Sequence, residues 1–294
     1  MDFSPGRPML LVDERDRQYL FNLPLEHEPA IRIRGERLDQ QLLLAQHNGG
    51  VLRTELRRRY LVLIPTLEQV IMNMPRQAQV IFPKDLALML FYGDVAPGQN
   101  IVEVGAGHGA LTMTLLRALG GQGQLVTYDI RLDHLNRTRK NIALYLGPEY
   151  LSNWQVRHED LTMLFSPDPV EAGTGEPVLG EEPFTPAQST GITALPLLAA
   201  VQRLFSDIPE PWLLLEAAAE MLEDGGVWVA YVPTVMQLMR QVEGLNRHRA
   251  FSLAEGFETL QRYWHVSPPS VRPRHGMRGH TGFIITARRR WRQI

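Results

Sequence analysis

The stretch that most constrains the fold is residues 99–112, QNIVEVGAGHGALT. Its first part, 101–104, is mostly apolar and β-branched, which favours a buried parallel strand. Leucines at helical spacing then predict a helix over 110–119. The turn between them lets the backbone bend sharply and approach a ligand, because it contains three glycines, Gly105, Gly107 and Gly109. Strand, turn and helix together predict the first half of a nucleotide-binding βαβ unit.

A second short apolar strand, predicted over 125–128, ends at Asp129. This carboxylate follows the glycines by about 20 residues, where an acid that binds a ribose is expected. The glycine spacing is G-x-G-x-G and differs from the G-x-G-x-x-G of dinucleotide sites, so a nicotinamide enzyme is disfavoured. On the glycine spacing alone, a tight turn without any ligand stays open as an alternative.

With Glu103 inside its strand, the turn resembles motif I of the class I S-adenosylmethionine (SAM) methyltransferases. The resemblance implies SAM as the cofactor, with S-adenosylhomocysteine as its product, and it places Glu103 among the cofactor-binding residues. Helices alternate with strands along the rest of the chain, which predicts an α/β, Rossmann-like fold with a doubly wound, mainly parallel sheet. Asp207 follows a strand predicted over 201–205, and in such sheets the carboxyl ends of the strands line the ligand crevice.

The composition narrows the class of protein. The 294 residues include no cysteine, which excludes disulfides and thiolate metal sites. No apolar run reaches about 18 residues and the first residues lack a signal-peptide pattern, so we expect a cytoplasmic protein with no membrane span and no metal. The formal net charge is −2, yet arginines cluster at 57–59 and within 272–292, so a basic face can be hidden in a near-neutral total. Solvated charges without a partner are the alternative interpretation.

Two domains are predicted. Residues 1–73 form a small β-rich domain, in which the apolar stretches 9–12 and 19–21 indicate a hairpin. Residues 74–294 form the methyltransferase domain. Within it, 166–199 is rich in proline, glycine and acidic residues, which predicts an exposed, flexible insertion.

Three further elements of the second domain are predicted from local patterns. Asp85 is placed to cap a helix over 86–92. The last two strands are expected over 258–266 and 282–287, as an antiparallel pair at the edge of the sheet.

Distinctive motifs lie along nearly the whole chain apart from the insertion. They are YLVLIPTLEQVIMNMPRQAQVIFPKD (60–85), IVEVGAGHGALT (101–112), VTYDIRLDH (126–134), NWQVRHEDL (153–161), DIPEPW (207–212), ETLQRYWHV (258–266) and VRPRHGMRGHTGFIITARR (271–289). Together they resemble the bacterial and archaeal tRNA adenine-58 N1-methyltransferases, the TrmI family. The resemblance implies methyl transfer from SAM to N1 of an adenine in tRNA, at position 58 in the T-loop.

The resemblance also implies roles for single residues at the cofactor. The turn and the start of its helix would wrap the methionine and ribose portions of SAM, through Gly105, Gly107, His108, Gly109, Ala110 and Leu111. Asp129 stands where the family usually has glutamate on the ribose hydroxyls. His134 would lie on the adenine side, and Asp160 would meet the adenine amino group. Asp207 would adjoin the cofactor and be the catalytic carboxylate at the target adenine.

Substrate contacts follow from the same resemblance. Phe82 stands where the family often has tyrosine, so it keeps a face for stacking on a base but lacks the hydroxyl; an ordinary core phenylalanine is the alternative. Basic residues would hold the phosphates of tRNA, namely Arg57, Arg58, Arg59, Arg272, Arg274 and Arg278. Family members are commonly homotetramers, so we expect a homo-oligomer in which a partner covers apolar edge strands near Trp264 and Phe283.

Two other functions stay open. A class I methyltransferase that acts on a protein carboxylate or a small molecule would have the same glycine turn. A non-catalytic tRNA-binding subunit would share the basic segments but would not need the acids at positions 129, 160 and 207.

Overall fold

Two main β-sheets organise the described part of the chain, which the computed structural model gives for residues 3–23, 30–74, 80–163 and 200–291. The first sheet is antiparallel and has the strand order β2-β1-β6-β5. Its elements and their neighbours are β1 (Pro8–Asp13), β2 (Gln18–Asn22), β3 (Ile31–Ile33), β4 (Glu36–Leu38), α1 (Gln40–Leu44), β5 (Val51–Arg53), β6 (Arg59–Leu63) and α2 (Leu67–Asn73).

Strand β1 is the centre of the N-terminal sheet. Its sequence PMLLVD is almost entirely buried, and it pairs with β2 on one side and β6 on the other. The hairpin predicted from the apolar stretches 9–12 and 19–21 is therefore confirmed. Met9, Leu11 and Tyr60 belong to a core that is separate from the core of the second sheet. This confirms a small β-rich region at the start of the chain.

Helix α2 connects the two regions. Thr66 caps it by a reciprocal capping box, in which the Thr66 hydroxyl accepts from the Gln69 backbone N–H and the Gln69 side chain accepts from the Thr66 N–H. The apolar side chains of α2, namely Val70, Ile71 and also Met74 just after it, pack in the core of the second region. The residue that divides the two domains, predicted as 73, stays a prediction.

The second region has the expected alternation of helices and strands. Its elements are α3 (Pro83–Tyr92), β7 (Asn100–Val104), α4 (Ala110–Leu119), β8 (Gln124–Tyr128), α5 (Leu132–Asn141) with a π-helical turn (Ile142–Leu146), a 3₁₀ turn (Pro148–Asn153), β9 (Trp154–Arg157), β10 (Val201–Ser206), a 3₁₀ turn (Pro211–Leu214), α6 (Leu215–Met221), β11 (Leu222–Val232), α7 (Val235–Arg247), β12 (Phe251–Phe257), β13 (Trp264–Ser267), β14 (Ser270–Pro273) and β15 (Phe283–Arg289). The insertion predicted over 166–199 lies outside the described residues.

The second sheet has seven strands in the order β12-β15-β11-β10-β7-β8-β9. Strands β11, β10, β7, β8 and β9 are parallel neighbours, and β15 is antiparallel to both β11 and β12. The predicted doubly wound, mainly parallel sheet is confirmed. From β7 the chain adds β8 and β9 on one side, and β10 and β11 on the other. The gap between β7 and β10 is therefore the switch point where ligands bind in such folds.

Three local predictions are wrong. Helix α3 starts at Pro83, because proline suits the first helical position, so Asp85 lies inside the first turn and is not the cap. The stretch 258–266 does not join the main sheet, since β12 pairs with β15 and Trp264 lies in the separate β13–β14 hairpin. Phe283 begins β15, which lies between two strands and is not an edge.

Within the described residues, none of the helices combines the length and the apolar character needed to cross a membrane.

Candidate functional site

The glycine turn lies at the switch point. All three glycines have positive φ, of 95° at Gly105, 53° at Gly107 and 86° at Gly109, which other residues adopt with strain. The N–H of Gly105 donates to the Tyr128 carbonyl at 2.8 Å, and a Cβ at Gly105 would overlap the carbonyl oxygen of Asp207. Glycine is therefore needed here because the turn passes directly against the end of β10.

Helix α4 begins directly after the turn. Gly109 is its N-cap, and no side chain caps the first N–H groups. The predicted binding residues His108, Ala110 and Leu111 are buried here, and the His108 carbonyl accepts from the Asn141 side chain at 2.8 Å. The uncapped N-terminus presents donors and a positive dipole end toward the turn, which suits a ligand with acceptor groups.

Asp129 holds the glycine turn from the neighbouring strand end. Its Oδ2 accepts from the N–H of Ala106 at 2.9 Å and lies 3.2 Å from Nδ1 of His134. Its Oδ1 accepts from the N–H of Arg131 at 2.8 Å. The structure thus brings Asp129 and His134 together at the turn.

Glu103 lies beneath the turn and is fully buried. Its carboxylate accepts from the hydroxyls of Thr112, at 2.8 Å, and Thr127, at 2.7 Å. Burial raises the pKa of Glu103 to about 8, although the two hydroxyls oppose this shift. Glu103 could contact a cofactor only if its carboxylate became exposed. In this structure the carboxylate links β7 to α4 and β8 through its hydrogen bonds.

Asp207 follows β10, and its backbone lies against the glycine turn. Its backbone N–H donates to the Val104 carbonyl at 2.9 Å, and its side chain is half-buried. Among the described residues, no hydrogen bond or ion pair to its carboxylate is found. Burial raises the pKa of Asp207 to about 7, and the charge of Asp129 raises it further. A half-buried, unpartnered carboxylate at a switch point is the strongest candidate for chemistry in this fold.

Asp160 follows β9 at the same edge of the sheet. It is half-buried, and its Oδ1 accepts from the hydroxyl and the N–H of Thr162, at 2.6 and 2.9 Å. Its second oxygen accepts no hydrogen bond from the described residues, which leaves an acceptor for a ligand. The three predicted acids at the strand ends therefore share one edge, although Asp160 has no direct contact with the glycine turn.

This edge carries three neighbouring carboxyl groups. Glu103, Asp129 and Asp207 interact electrostatically, and each added charge disfavours ionisation of the others. Within residues 3–23, 30–74, 80–163 and 200–291, no lysine or arginine forms an ion pair with any of the three. A cationic ligand with hydroxyl or amino donors would relieve this repulsion.

Phe82 is the N-cap of α3, in the extended conformation that the following proline favours. It is half-buried, and the guanidinium of Arg278 lies 4.3 Å from its ring centroid. This cation–π contact joins two predicted substrate residues that are far apart in sequence. The role of Phe82 as a stacking face for a base stays a prediction.

The other predicted arginines lie apart from the turn. Arg272 and Arg274 are exposed on the β13–β14 hairpin and just after it, and Arg274 stacks on Tyr263. In the N-terminal sheet, Arg57 and Arg59 are exposed, whereas Arg58 lies 3.7 Å from Glu36 and donates to the Arg34 carbonyl. Not every arginine in the basic runs reaches the surface, because Arg289 is buried and donates to the Ala219 carbonyl.

Sequence reasoning missed a buried polar cluster next to Phe82. Lys84 and Asp85 form an ion pair at 2.6 Å, and Asp85 also accepts from the hydroxyls of Thr281 and Tyr231. The signal was the Lys-Asp pair directly after Phe82-Pro83, which we interpreted as the start of a helix only.

Several known proteins are similar to this chain in sequence. A family model described as "tRNA methyltransferase complex GCD14 subunit" matches residues 59–164. The tRNA (adenine(58)-N(1))-methyltransferase TrmI of Thermus thermophilus is 33% identical over 288 residues, which cover 98% of each chain. The tRNA (adenine(57)-N(1)/adenine(58)-N(1))-methyltransferase TrmI of Methanocaldococcus jannaschii is 29% identical over 95% of this chain and 94% of its own.

Solved structures show the same fold. A SAM-dependent O-methyltransferase from Thermotoga maritima superposes with a TM-score of 0.80 at 24% identity, covering 100% of this chain and 96% of the other. The tRNA (m1A58) methyltransferase TrmI from Aquifex aeolicus gives a TM-score of 0.71 at 20% identity, covering 99% and 100%. At these identities the likeness concerns the fold, which is that of class I methyltransferases.

Proposed function

This chain belongs to the TrmI family of tRNA methyltransferases, and we propose on that premise that it transfers the methyl group of SAM to N1 of an adenine in tRNA, at position 58. Asp207 carries the proposal: it is an unpartnered, half-buried carboxylate beside the glycine turn. When bound, SAM supplies an electrophilic methyl group on a positively charged sulfur.

The residues present fit this cofactor. Open space lies where a Cβ of Gly107 would be, so the backbone can be approached closely. The negative charge of Asp129 and Asp207 complements a sulfonium. We assign the ribose hydroxyls to Asp129, the adenine side to His134, and the adenine amino group to the remaining oxygen of Asp160.

The target adenine needs orientation more than activation. Its N1 has an in-plane lone pair and loses no proton before it forms the bond to the methyl carbon. Asp207 would accept from the exocyclic N6–H, which sets the direction of N1 and stabilises the positive charge that develops on the ring. The same carboxylate can then take the N6 proton from the methylated base.

The adenine must leave the folded tRNA to reach Asp207. Extrusion of a base costs a few kcal/mol of unstacking. The ring of Phe82 supplies a stacking face at the entrance, and Arg278 adds a cation beside it. Exposed arginines such as Arg272 and Arg274 would hold the phosphates.

Mapping of methylated nucleotides tests the function. We expect tRNA incubated with the protein and labelled SAM to gain 1-methyladenosine at position 58 and nowhere else. A tRNA with another base at position 58 is the control and should stay unlabelled. Label found only in a protein extract, or at a carboxylate, would contradict the proposal.

The salt dependence of tRNA affinity tests the proposed contacts between arginines and phosphates. Replacing Arg272 and Arg274 together by alanine should weaken tRNA binding. It should also make the negative slope of log K against log salt shallower, by about one for each lost phosphate contact. Arg247→Ala is the matched control, because Arg247 is exposed on α7 and ion-paired with Glu243. Binding isotherms at several salt concentrations give the slopes; equal slopes in all variants would rule out these contacts.

We propose a homo-oligomer, a tetramer as in other family members, that acts in the cytoplasm. The β13–β14 hairpin supports a partner surface, since Trp264, Val266 and Val271 are all exposed there. The molecular mass in solution, measured by light scattering, tests the oligomeric state.

A further inference from the structure

Lys84 occupies the base of an exposed arm that we define as residues 259–281. Its Nζ donates to the Thr259 carbonyl at 2.8 Å and to the Thr281 hydroxyl at 2.7 Å, so one amino group joins the beginning of the arm to its end. The third bond of the amino group goes to Asp85, at 2.6 Å. All three donors of Lys84 are thus used in a nearly buried position.

Asp85 completes the cluster on the inner side. It is fully buried, and its Oδ2 accepts from the hydroxyls of Thr281, at 2.7 Å, and Tyr231, at 3.3 Å. Gly282 allows this approach, because a Cβ there would overlap the Tyr231 ring. A buried ion pair gains little stability over apolar residues of the same size, so the cluster calls for an explanation other than stability.

The cluster connects the segments that carry the proposed substrate residues. Lys84 is two residues after Phe82, and Thr281 is three residues after Arg278, whose guanidinium stacks on Phe82. Tyr231 lies on β11, and the pairing of Ser206 with Ala230 places it next to Asp207 across the strand ends. Residues 271–280 of the arm are all exposed. Besides the Arg278–Phe82 contact, the end of the arm is held by His280, whose ring bonds to Glu258 at 2.9 Å and to the Pro233 carbonyl at 2.8 Å.

We infer that Lys84, Asp85 and Thr281 are positioning residues, which hold the Phe82–Arg278 pair beside Asp207 so that an extruded adenine meets the stacking face and the carboxylate together. This inference rests on the proposed function. The positioning residues act through Phe82 and Arg278 and do not touch SAM.

Thr281→Val is the variant of choice, because it removes one hydroxyl and keeps the shape of the side chain. We expect kcat/KM for tRNA to fall about 10-fold, since misplacement of a substrate contact is costly. The Kd of SAM, measured by calorimetry, should change less than twofold. Thr281→Ser, which keeps the hydroxyl, should restore kcat/KM.

A control separates positioning from stability. Thr66→Ala removes the cap of α2 and lowers Tm without touching the arm, so its kcat/KM for tRNA should stay unchanged at a comparable loss of Tm. If both variants lose kcat/KM in proportion to Tm, the role is merely structural and the inference fails. It also fails if Thr281→Val keeps full kcat/KM.

A double-mutant cycle tests the route of action. If Thr281 acts through Arg278, then Arg278→Met and Thr281→Val/Arg278→Met should have the same kcat/KM, whereas independent effects would multiply and contradict the inference. Tryptic cleavage after Arg274 and Arg278 provides a readout without activity, and should be faster in Thr281→Val than in the wild type. Absence of methyl transfer by the wild type would refute the proposed function and leave this cleavage result intact; equal cleavage rates would refute the positioning.

Discussion

We expect Asp207→Ala to lower the turnover of tRNA methylation by about 100-fold or more, and to leave the Kd of SAM within a few-fold of the wild-type value. The reason is that the carboxylate directs the adenine and stabilises the charge that develops on it, whereas the glycine turn and Asp129 hold the cofactor. Single-turnover kinetics with saturating SAM measure the loss. Glu210→Ala, an exposed acid on the same loop, is the matched control and should retain wild-type turnover.

The pH profile adds an independent check on Asp207. Burial and the charge of Asp129 raise its pKa to about 7, so below this pH the free protein holds a protonated carboxyl that accepts poorly from N6–H. We expect kcat/KM for SAM to fall as the pH drops below about 7. A bound cation favours the carboxylate, so kcat should turn down at a lower pH than kcat/KM. Unchanged turnover in Asp207→Ala, or a flat wild-type profile, would end the catalytic assignment.

We expect Glu103→Gln to make the stability of the ligand-free protein less dependent on pH. The pKa of Glu103 is raised by burial from 4.5 to about 8, so the folded state binds a proton that the unfolded state releases. The contribution of Glu103 to the free energy of unfolding is fully present below about pH 4.5 and is lost as the pH rises to about 8. The loss amounts to about 4 to 5 kcal/mol at the upper end. The glutamine variant carries no charge and should avoid this loss.

Urea unfolding at pH 5.5, 7 and 8.5 measures the effect. The wild type should lose stability steadily over this range, and the difference between Glu103→Gln and the wild type should grow in favour of the variant. Some pH dependence should remain, because the raised pKa of Asp207 has the same sign. Glu255→Gln, at an exposed position of β12, is the control and should follow the wild type. Parallel curves for Glu103→Gln and the wild type would contradict the buried charge.

Local patterns predicted the nucleotide-binding unit well. The strand, the glycine turn and helix α4 are adjacent in sequence, and the acid at position 129 follows from the parallel order of β7 and β8. The sequence also predicted that Asp207 lies at the end of a strand. Only the fold shows that this strand end lies next to the glycine turn. What it could not give was the burial of Glu103, because the partners of that carboxylate come from a helix and from another strand.

The last part of the sheet was predicted less well for a physical reason. In β12 the alternation is interrupted by a bulge between Ser252 and Glu255, and Leu253 has positive φ, so its sequence lacks a clean two-residue period. The stretch 258–266 has a stronger apolar pattern but no neighbour in the main sheet. The bond from Lys84 to Thr281 spans 197 residues, and no local pattern predicts it.

The position of β15 imposes an order on biosynthesis. Because β15 lies between β11 and β12, a nascent chain that has emerged from the ribosome only as far as β12 has an unfilled slot in its sheet, with the apolar β11 unprotected on one side. The cofactor-binding half can assemble earlier, since its strands are made consecutively. We therefore expect chaperones that recognise exposed strands to be needed chiefly in the interval before residues 283–289 are translated.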